Sequence, residues 1–359
     1  MAEKSSYNED DLGYLSNFTA QQLGAVEVIT SLMYSVAFVL GTLGNGLVLY
    51  IIAFKMKKRT APVLLIGNLA LADFIFALTL PAWIMHTVNF YSWPHSALAC
   101  RILPFIITQN MYASVLFICI MSLNRCTAIL HPIHNKLCWS YKLTLPVTCT
   151  FAWLMSTILA APVLLYRILL EYDDSFMCLM VYSYDLVEFR SAIIRWTLSK
   201  LFIAFVIPSI IICTCYTLIF IQVRAVAAMT PMPQVRAQRN RRTTALIIAA
   251  VLAYFITWTP YYIVDLLQVT SLINMSDLPQ LMDAKPLVTS LATLNACMNP
   301  PLYAYVLRTF RRNAGRISML GKAADAALSS ERQEEQSMTS AISTVVDADN
   351  IDHPWQRIH

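Results

Sequence analysis

The 359-residue chain is 57% hydrophobic and only 13% charged, with a mean hydropathy of +0.56. That much apolar surface excludes an ordinary soluble domain and points to the membrane. The formal net charge of +5 sits in a few short segments, so it reads as a topology signal and not as a nucleic-acid-binding surface.

In chain order, a polar, acidic segment at 1–26 comes first, expected as an extracellular tail. Seven apolar runs follow, at about 27–54, 62–88, 99–129, 143–166, 192–223, 241–269 and 284–307, each long enough for the ~20 helical residues that cross a bilayer. They lack strict alternation, so helices fit them better than barrel strands. The first run starts too late, after an acidic stretch, to read as a signal peptide. The expected fold is an all-α membrane protein, with a seven-transmembrane helix domain over 27–307. An amphipathic eighth helix is expected over 308–320, with Phe310 down and Arg311 and Arg312 up. The last segment, 321–359, has the polar, Ser-rich composition of a disordered cytoplasmic tail suited to phosphorylation. Residues 225–238, with Pro231 and Pro233, read as a short inner loop. No internal repeat is visible, which argues against many transporter folds.

Basic residues orient the runs. Lys55, Lys57, Lys58 and Arg59 follow the first, Lys136 and Lys142 the third, Arg236, Arg239, Arg241 and Arg242 separate the fifth and sixth, and Arg308, Arg311, Arg312 and Arg316 follow the seventh. That side is expected to be the cytoplasm. The N-terminus is then extracellular, which exposes sequons at Asn17 and Asn274 to glycosylation. Cys100 and Cys178 fall on the same oxidising side and are expected to form a disulfide.

The polar exceptions inside the runs carry the chemistry. Asp73 lies mid-span, where a charge costs roughly 3 kcal/mol or more and persists only with polar partners, water or an ion. Asn110, Ser114, Asn295 and Asn299 in other runs are candidate partners. One carboxylate ringed by neutral oxygen donors suits a small cation; a water-filled polar core is the alternative. Lys200 lies within the fifth run and needs an anionic partner. A ligand carboxylate or an internal acid such as Asp265 satisfies that need. No zinc or nucleotide motif stands out, so no enzyme is expected.

Several motifs recur in order along the runs. They are Gly44-Asn45, Asp73, Ser122-Leu-Asn-Arg125, Trp153, Pro208 with Tyr216, Phe255-Ile-Thr-Trp258-Thr-Pro260, and Asn299-Pro300-Pro-Leu-Tyr303. Together they resemble the rhodopsin-like G-protein-coupled receptors. The resemblance implies a sodium site at Asp73, Asn110, Ser114, Asn295 and Asn299, and a switch through Asn124, Arg125, Tyr216, Trp258 and Tyr303. It also implies a heterotrimeric G protein as partner, a receptor kinase and arrestin at the tail, and a multi-pass place in the plasma membrane among its lipids. Pro208, Pro260 and Pro300 remove backbone hydrogen bonds and kink their helices, giving a bundle with more than one packing. Two positions depart from the family pattern. Asn124 stands where the family has aspartate, so it cannot ion-pair with Arg125. Tyr254 stands where the family usually has phenylalanine.

Opsins carry a retinal-binding lysine where this chain has Thr293, and amine receptors carry an aspartate where it has Ile107. Met111-Tyr-Ala-Ser-Val-Leu116, Ala161-Pro-Val-Leu-Leu-Tyr-Arg167 and Trp258-Thr-Pro-Tyr-Tyr-Ile-Val-Asp265 resemble chemoattractant receptors, most closely those for leukotriene B4. That resemblance implies an anionic lipid agonist, an inhibitory G protein, and a pocket that includes Arg167, Lys200 and Tyr262. Tyr112, Trp258 and Asp265 are further candidates to line the cavity, and Arg190, Arg195 and Lys285 are further cations near the outer ends of the runs. Here Lys200 replaces an acid and Tyr262 an amide, so the pocket's polarity differs from that family's. The acidic tail and Asp173-Asp174 suit a basic peptide instead. A scavenging receptor that binds ligand and signals weakly is a further alternative, kept open by Asn124.

Overall fold

The computed structural model describes residues 9–56, 60–132, 144–172, 175–229, 234–274 and 279–299. They fall in one compact unit, Met1–Tyr305; a second unit, Val306–His359, lies wholly outside the described residues. Tyr303, the expected amphipathic helix and the Ser-rich tail therefore lie outside them too, as does the side chain of Asn17.

The architecture is almost entirely helical. Span one is α1 (Glu9–Tyr50), closed by a π-helical turn at Ile51–Lys55. The helix begins at Glu9, inside the segment read as a tail. Span two is α2 (Ala61–Ala77) and α3 (Leu80–Val88), broken at Leu78–Thr79. Pro81 explains the break, because it has no N–H to donate back to the Ala77 carbonyl. Span three is α4 (Ala97–Leu130), capped by Ser96, whose side chain accepts from the Ala99 N–H at 3.3 Å. Span four is α5 (Thr144–Tyr166). A hairpin follows, β1 (Arg167–Tyr172) antiparallel to β2 (Ser175–Met180), with Leu169 opposite Cys178.

Span five is α6 (Leu186–Leu201), a π-helical turn at Phe202–Val206, and α7 (Ile207–Met229). Asp185 caps its start by accepting from the Glu188 N–H at 2.8 Å. Span six is α8 (Gln234–Asn274), with Pro260 inside it. The inner loop read at 225–238 is thus shorter than expected, because helix continues through Met229 and resumes at Gln234. Span seven opens in α9 (Pro279–Thr293), and helical structure continues to Asn299. Six of the described helices are long and apolar enough to cross a membrane.

Spans two and three are the most enclosed, while spans one, four and five show the largest shares of exposed residues. The exposed large apolar residues are those expected on lipid-facing surfaces, such as Leu32, Leu43, Phe151, Ile158, Ile210 and Phe220. Polar contacts tie the spans together where lipid offers no competing donor. Asn45 donates to its own helix at Gly41 O and across to Ala296 O of span seven, both at 2.9 Å. Trp153 of span four donates to Asn68 Oδ1 of span two at 3.0 Å. Gly41 is required by close approach: a Cβ there would stand 3.1 Å from the Ala77 Cβ. On the outer side, Cys100 and Cys178 form the expected disulfide, which pins the hairpin to the first turn of span three. The outer turn after α3 places Phe90 and Tyr91 at φ 53° and 61°. This left-handed backbone is unusual without glycine. It brings Tyr91 and Trp93 against His86, with ring centroids 5.7 and 5.1 Å away.

Candidate functional site

Two polar clusters occupy the bundle, one in its middle and one towards its outer end. In the middle, span two places Asp73 with no exposed surface. Span three supplies Asn110, whose amide donates to Asp73 Oδ1 at 3.0 Å, and Ser114, whose hydroxyl donates to the same oxygen at 3.3 Å. Span seven supplies Asn299, whose amide donates to Asp73 Oδ2 at 2.8 Å. Three spans therefore converge on one carboxylate. The asparagines do not ring it with oxygens as the sequence reading expected. Asn110 and Asn299 meet it through N–H groups, because an anion selects donors first. The amide oxygens of Asn295, Asn299 and Asn45 are buried without a hydrogen-bond partner among the described residues. The Asp73 carboxylate, the Ser114 hydroxyl and the unpaired Asn299 oxygen form an all-oxygen set with one negative charge, a chemistry that fits a small hard cation.

The outer cluster joins spans five, six and seven. Lys200 Nζ donates to Asp265 Oδ2 at 2.9 Å and to the Tyr261 hydroxyl at 3.0 Å. Lys285 of span seven ion-pairs with the other oxygen, Asp265 Oδ1. The Tyr261 ring receives both ammonium groups on its face, 5.2 Å from Lys200 Nζ and 4.0 Å from Lys285 Nζ. Of the two answers the sequence allowed for Lys200, the structure shows the internal acid. Two cations now share one carboxylate, so the cluster keeps a surplus positive charge. The side chains of Lys200 and Asp265 are 10% and 5% exposed, while Lys285 is 28% exposed.

Below this cluster lies a packed aromatic layer. Trp258 stands 5.5 Å from Tyr261 and 6.1 Å from Tyr262. The Tyr262 hydroxyl reaches the Met111 sulfur at 3.6 Å, beside the buried Tyr112 of span three. Of the six predicted pocket residues, Lys200 and Asp265 touch directly, and Trp258 and Tyr262 stack in the layer beneath them. Arg167 stands at the base of the hairpin, within electrostatic reach of Tyr261 of the outer cluster and of Tyr182. Its guanidinium donates to the Cys178 carbonyl at 3.0 Å. Burial lowers the Arg167 pKa, and the nearby Tyr182 and Tyr261 offset part of that effect.

At the inner side, Asn124 is buried near the end of span three, next to Arg125. Tyr216 of span five packs on the neighbouring cluster of Cys126, Cys215 and Ile219. Asn274 is exposed at the last residue of α8. Sequence reasoning gave no role to Tyr261, although it stands four residues before Asp265 and so shares its helix face.

A membrane bundle crossed by polar contacts at mid-depth and closed outside by a disulfide-pinned hairpin defines a polytopic receptor architecture. Residues 44–303 match the family model "7 transmembrane receptor (rhodopsin family)". The type-1 angiotensin II receptor A of Xenopus laevis is 31% identical over 290 residues, covering 79% of this chain and 77% of that protein. Chemerin-like receptor 2 of Mus musculus is 30% identical over 311 residues, 84% of each chain. The type-1 angiotensin II receptor B of Rattus norvegicus is 32% identical over 289 residues, 79% of each chain. The chain belongs to the rhodopsin family of seven-transmembrane, G-protein-coupled receptors. It is therefore a multi-pass plasma-membrane receptor and not an enzyme, and its partners are an agonist and a G protein.

Proposed function

We propose that this receptor, with its N-terminus outside the cell, recognises an agonist through a carboxylate that seats at Lys200 and Lys285. The observation that carries the reading is the buried Asp265 with two lysines on it: among the described residues the pair of cations has one carboxylate, and a ligand carboxylate supplies a second. A peptide with a free C-terminal carboxylate is the first reading, supported by relatives named for angiotensin II and for chemerin, both polypeptides. A carboxylate lipid such as leukotriene B4 is the second, favoured by the apolar and aromatic walls at Tyr112, Trp258 and Tyr262. Binding shifts a pre-existing equilibrium between helix packings. The inner ends then part, and Arg125, supported by Tyr216 and Tyr303, faces a G protein of the inhibitory class.

Asp73, with Asn110, Ser114, Asn295 and Asn299 around it, would hold sodium in this scheme, which supplies a positive charge that stabilises the resting packing. Receptor kinase and arrestin act on the Ser-rich tail, and Asn17 and Asn274 carry glycans.

The test is G-protein dissociation in mammalian cells against leukotriene B4 and a panel of peptides, each offered as free acid and as C-terminal amide. The expected result is a saturable response to a peptide acid, lost on amidation and in Lys200→Ala with surface expression retained. A lipid response with silence to every peptide selects the second reading. Activation by an agonist without a carboxylate, indifferent to Lys200→Ala and Lys285→Ala, overturns both.

A further inference from the structure

We propose that the Tyr254 hydroxyl is a latch that fastens span six to span five at a backbone carbonyl, where a π-helical turn followed by Pro208 leaves more acceptors than N–H donors. Ala204 lies inside the π-helical turn Phe202–Val206, where the Ile207 N–H reaches back five residues to the Phe202 carbonyl. Pro208 has no N–H to offer the next carbonyls, that of residue 203 in the π register or that of residue 204 in the α register. The Tyr254 hydroxyl donates to the Ala204 oxygen at 2.7 Å. Both residues have no exposed surface, so no water stands ready to replace either partner when they separate. An unsatisfied carbonyl at this depth is strongly disfavoured.

The phenylalanine usual at this position in the family has no hydroxyl and cannot make the bond, so the latch belongs to this chain's own sequence. It sits where leverage is greatest. The Tyr254 ring lies 5.9 Å from Trp258 and 5.7 Å from Phe255, and Phe255 meets Phe205 of the same π-helical turn at 5.4 Å. Any rotation of span six that carries Tyr254 away from span five must break a buried hydrogen bond. In the scheme proposed above the inner ends part as span six turns, so the latch holds the receptor in its resting packing.

The test is a double-mutant cycle of Tyr254→Phe with Pro208→Ala. Tyr254→Phe keeps the ring stack and removes the hydroxyl, with its bond to Ala204 and its contact with the Tyr262 hydroxyl. Pro208→Ala restores one N–H to the turn, a donor that competes for the Ala204 carbonyl. Two quantities are read: basal G-protein dissociation per receptor at the cell surface, and the melting temperature of the purified receptor. Tyr254→Phe alone is expected to raise basal dissociation about two- to tenfold and to lower the melting temperature by about 2–4 °C. In the Pro208→Ala background it is expected to change each by less than half as much. Additive effects overturn the pairing. A fall in basal signalling, or no change in either quantity for Tyr254→Phe, overturns the latch. If Pro208→Ala is lost from the surface, Tyr254→Phe alone still decides through its melting temperature. The signalling arm rests on the G-protein reading above. The melting arm does not, so a failure of one is distinguishable from a failure of the other.

Discussion

Asp265→Asn is the sharpest perturbation of the outer cluster. It keeps the shape of the side chain and removes the carboxylate that Lys200 and Lys285 share. Lys200 cannot escape to water, being 10% exposed, whereas Lys285, at 28%, can turn outward. Lys200 also retains the Tyr261 hydroxyl at 3.0 Å. Removing one partner of a buried ion pair costs about 3–5 kcal/mol, and these two mitigations select the lower end, about 3 kcal/mol. At about 2–4 °C per kcal/mol, the melting temperature falls by about 6–12 °C. A thiol-reactive dye reports this directly, because Cys119, Cys126, Cys149, Cys215 and Cys297 are free and buried until the bundle opens. The double variant Lys200→Met with Asp265→Asn removes the stranded charge and is expected to recover at least half of the loss. Lys285→Gln leaves the Lys200–Asp265 pair intact and is expected to shift stability by less than ~1 kcal/mol. If Asp265→Asn melts within the ~2 °C that a trivial change produces, or if the double variant is no more stable than the single, the buried-charge reasoning is wrong.

Trp153→Phe removes the donor to Asn68 Oδ1 and keeps most of the ring packing on Phe117. It is expected to destabilise by about 1 kcal/mol in the same melting assay. Gly41→Leu drives a side chain into Ala77, which already stands 3.1 Å from an added Cβ. Overpacking of about 1–3 kcal/mol should follow, seen as reduced surface expression. Asp73→Asn exchanges the acceptor of three donated hydrogen bonds for an amide. Basal signalling should then lose any dependence on sodium when choline replaces it in the medium; a retained dependence refutes a sodium site at Asp73. Asn124→Asp supplies the acid that the family pairs with Arg125, and is expected to lower basal G-protein dissociation.

Much of the middle cluster is legible in the sequence because lipid makes polar residues conspicuous. Asp73, Asn110, Ser114, Asn295 and Asn299 stand out in apolar runs, and four of the five share hydrogen bonds in the structure. The orientation of the amides is not legible, since it depends on which end of each asparagine the carboxylate attracts. The outer cluster is half legible. Lys200 demands an anion wherever it sits, but choosing Asp265 over a ligand requires the packing of spans five and six. Lys285 reads only as one outer cation among several, because nothing local assigns it to Asp265 on another helix. The Ala204–Tyr254 bond is the least visible. One partner is a backbone carbonyl with no side-chain signature, and its one trace in the sequence is a proline four residues further on.

Two of the polar ties between spans five and six, the Lys200–Asp265 pair and the Tyr254–Ala204 bond, arise at the same irregularity. Lys200 ends the regular α6 just before the π-helical turn, and Ala204 lies within that turn. A π-helical turn inserts a residue and reorients the side chains that precede it relative to those that follow. The same backbone defect that aims Lys200 at Asp265 therefore also prepares the carbonyl that Tyr254 holds. An agonist carboxylate that draws Lys200 from Asp265 loosens the outer tie and leaves the deeper one to be broken by movement of span six. Ligand charge and helix motion would then be coupled through five residues of span five, from Lys200 to Ala204, with no longer pathway required. On this arrangement, Tyr254→Phe should make the receptor more sensitive to agonist even where Lys200 and Asp265 are untouched, since only one of two serial restraints remains.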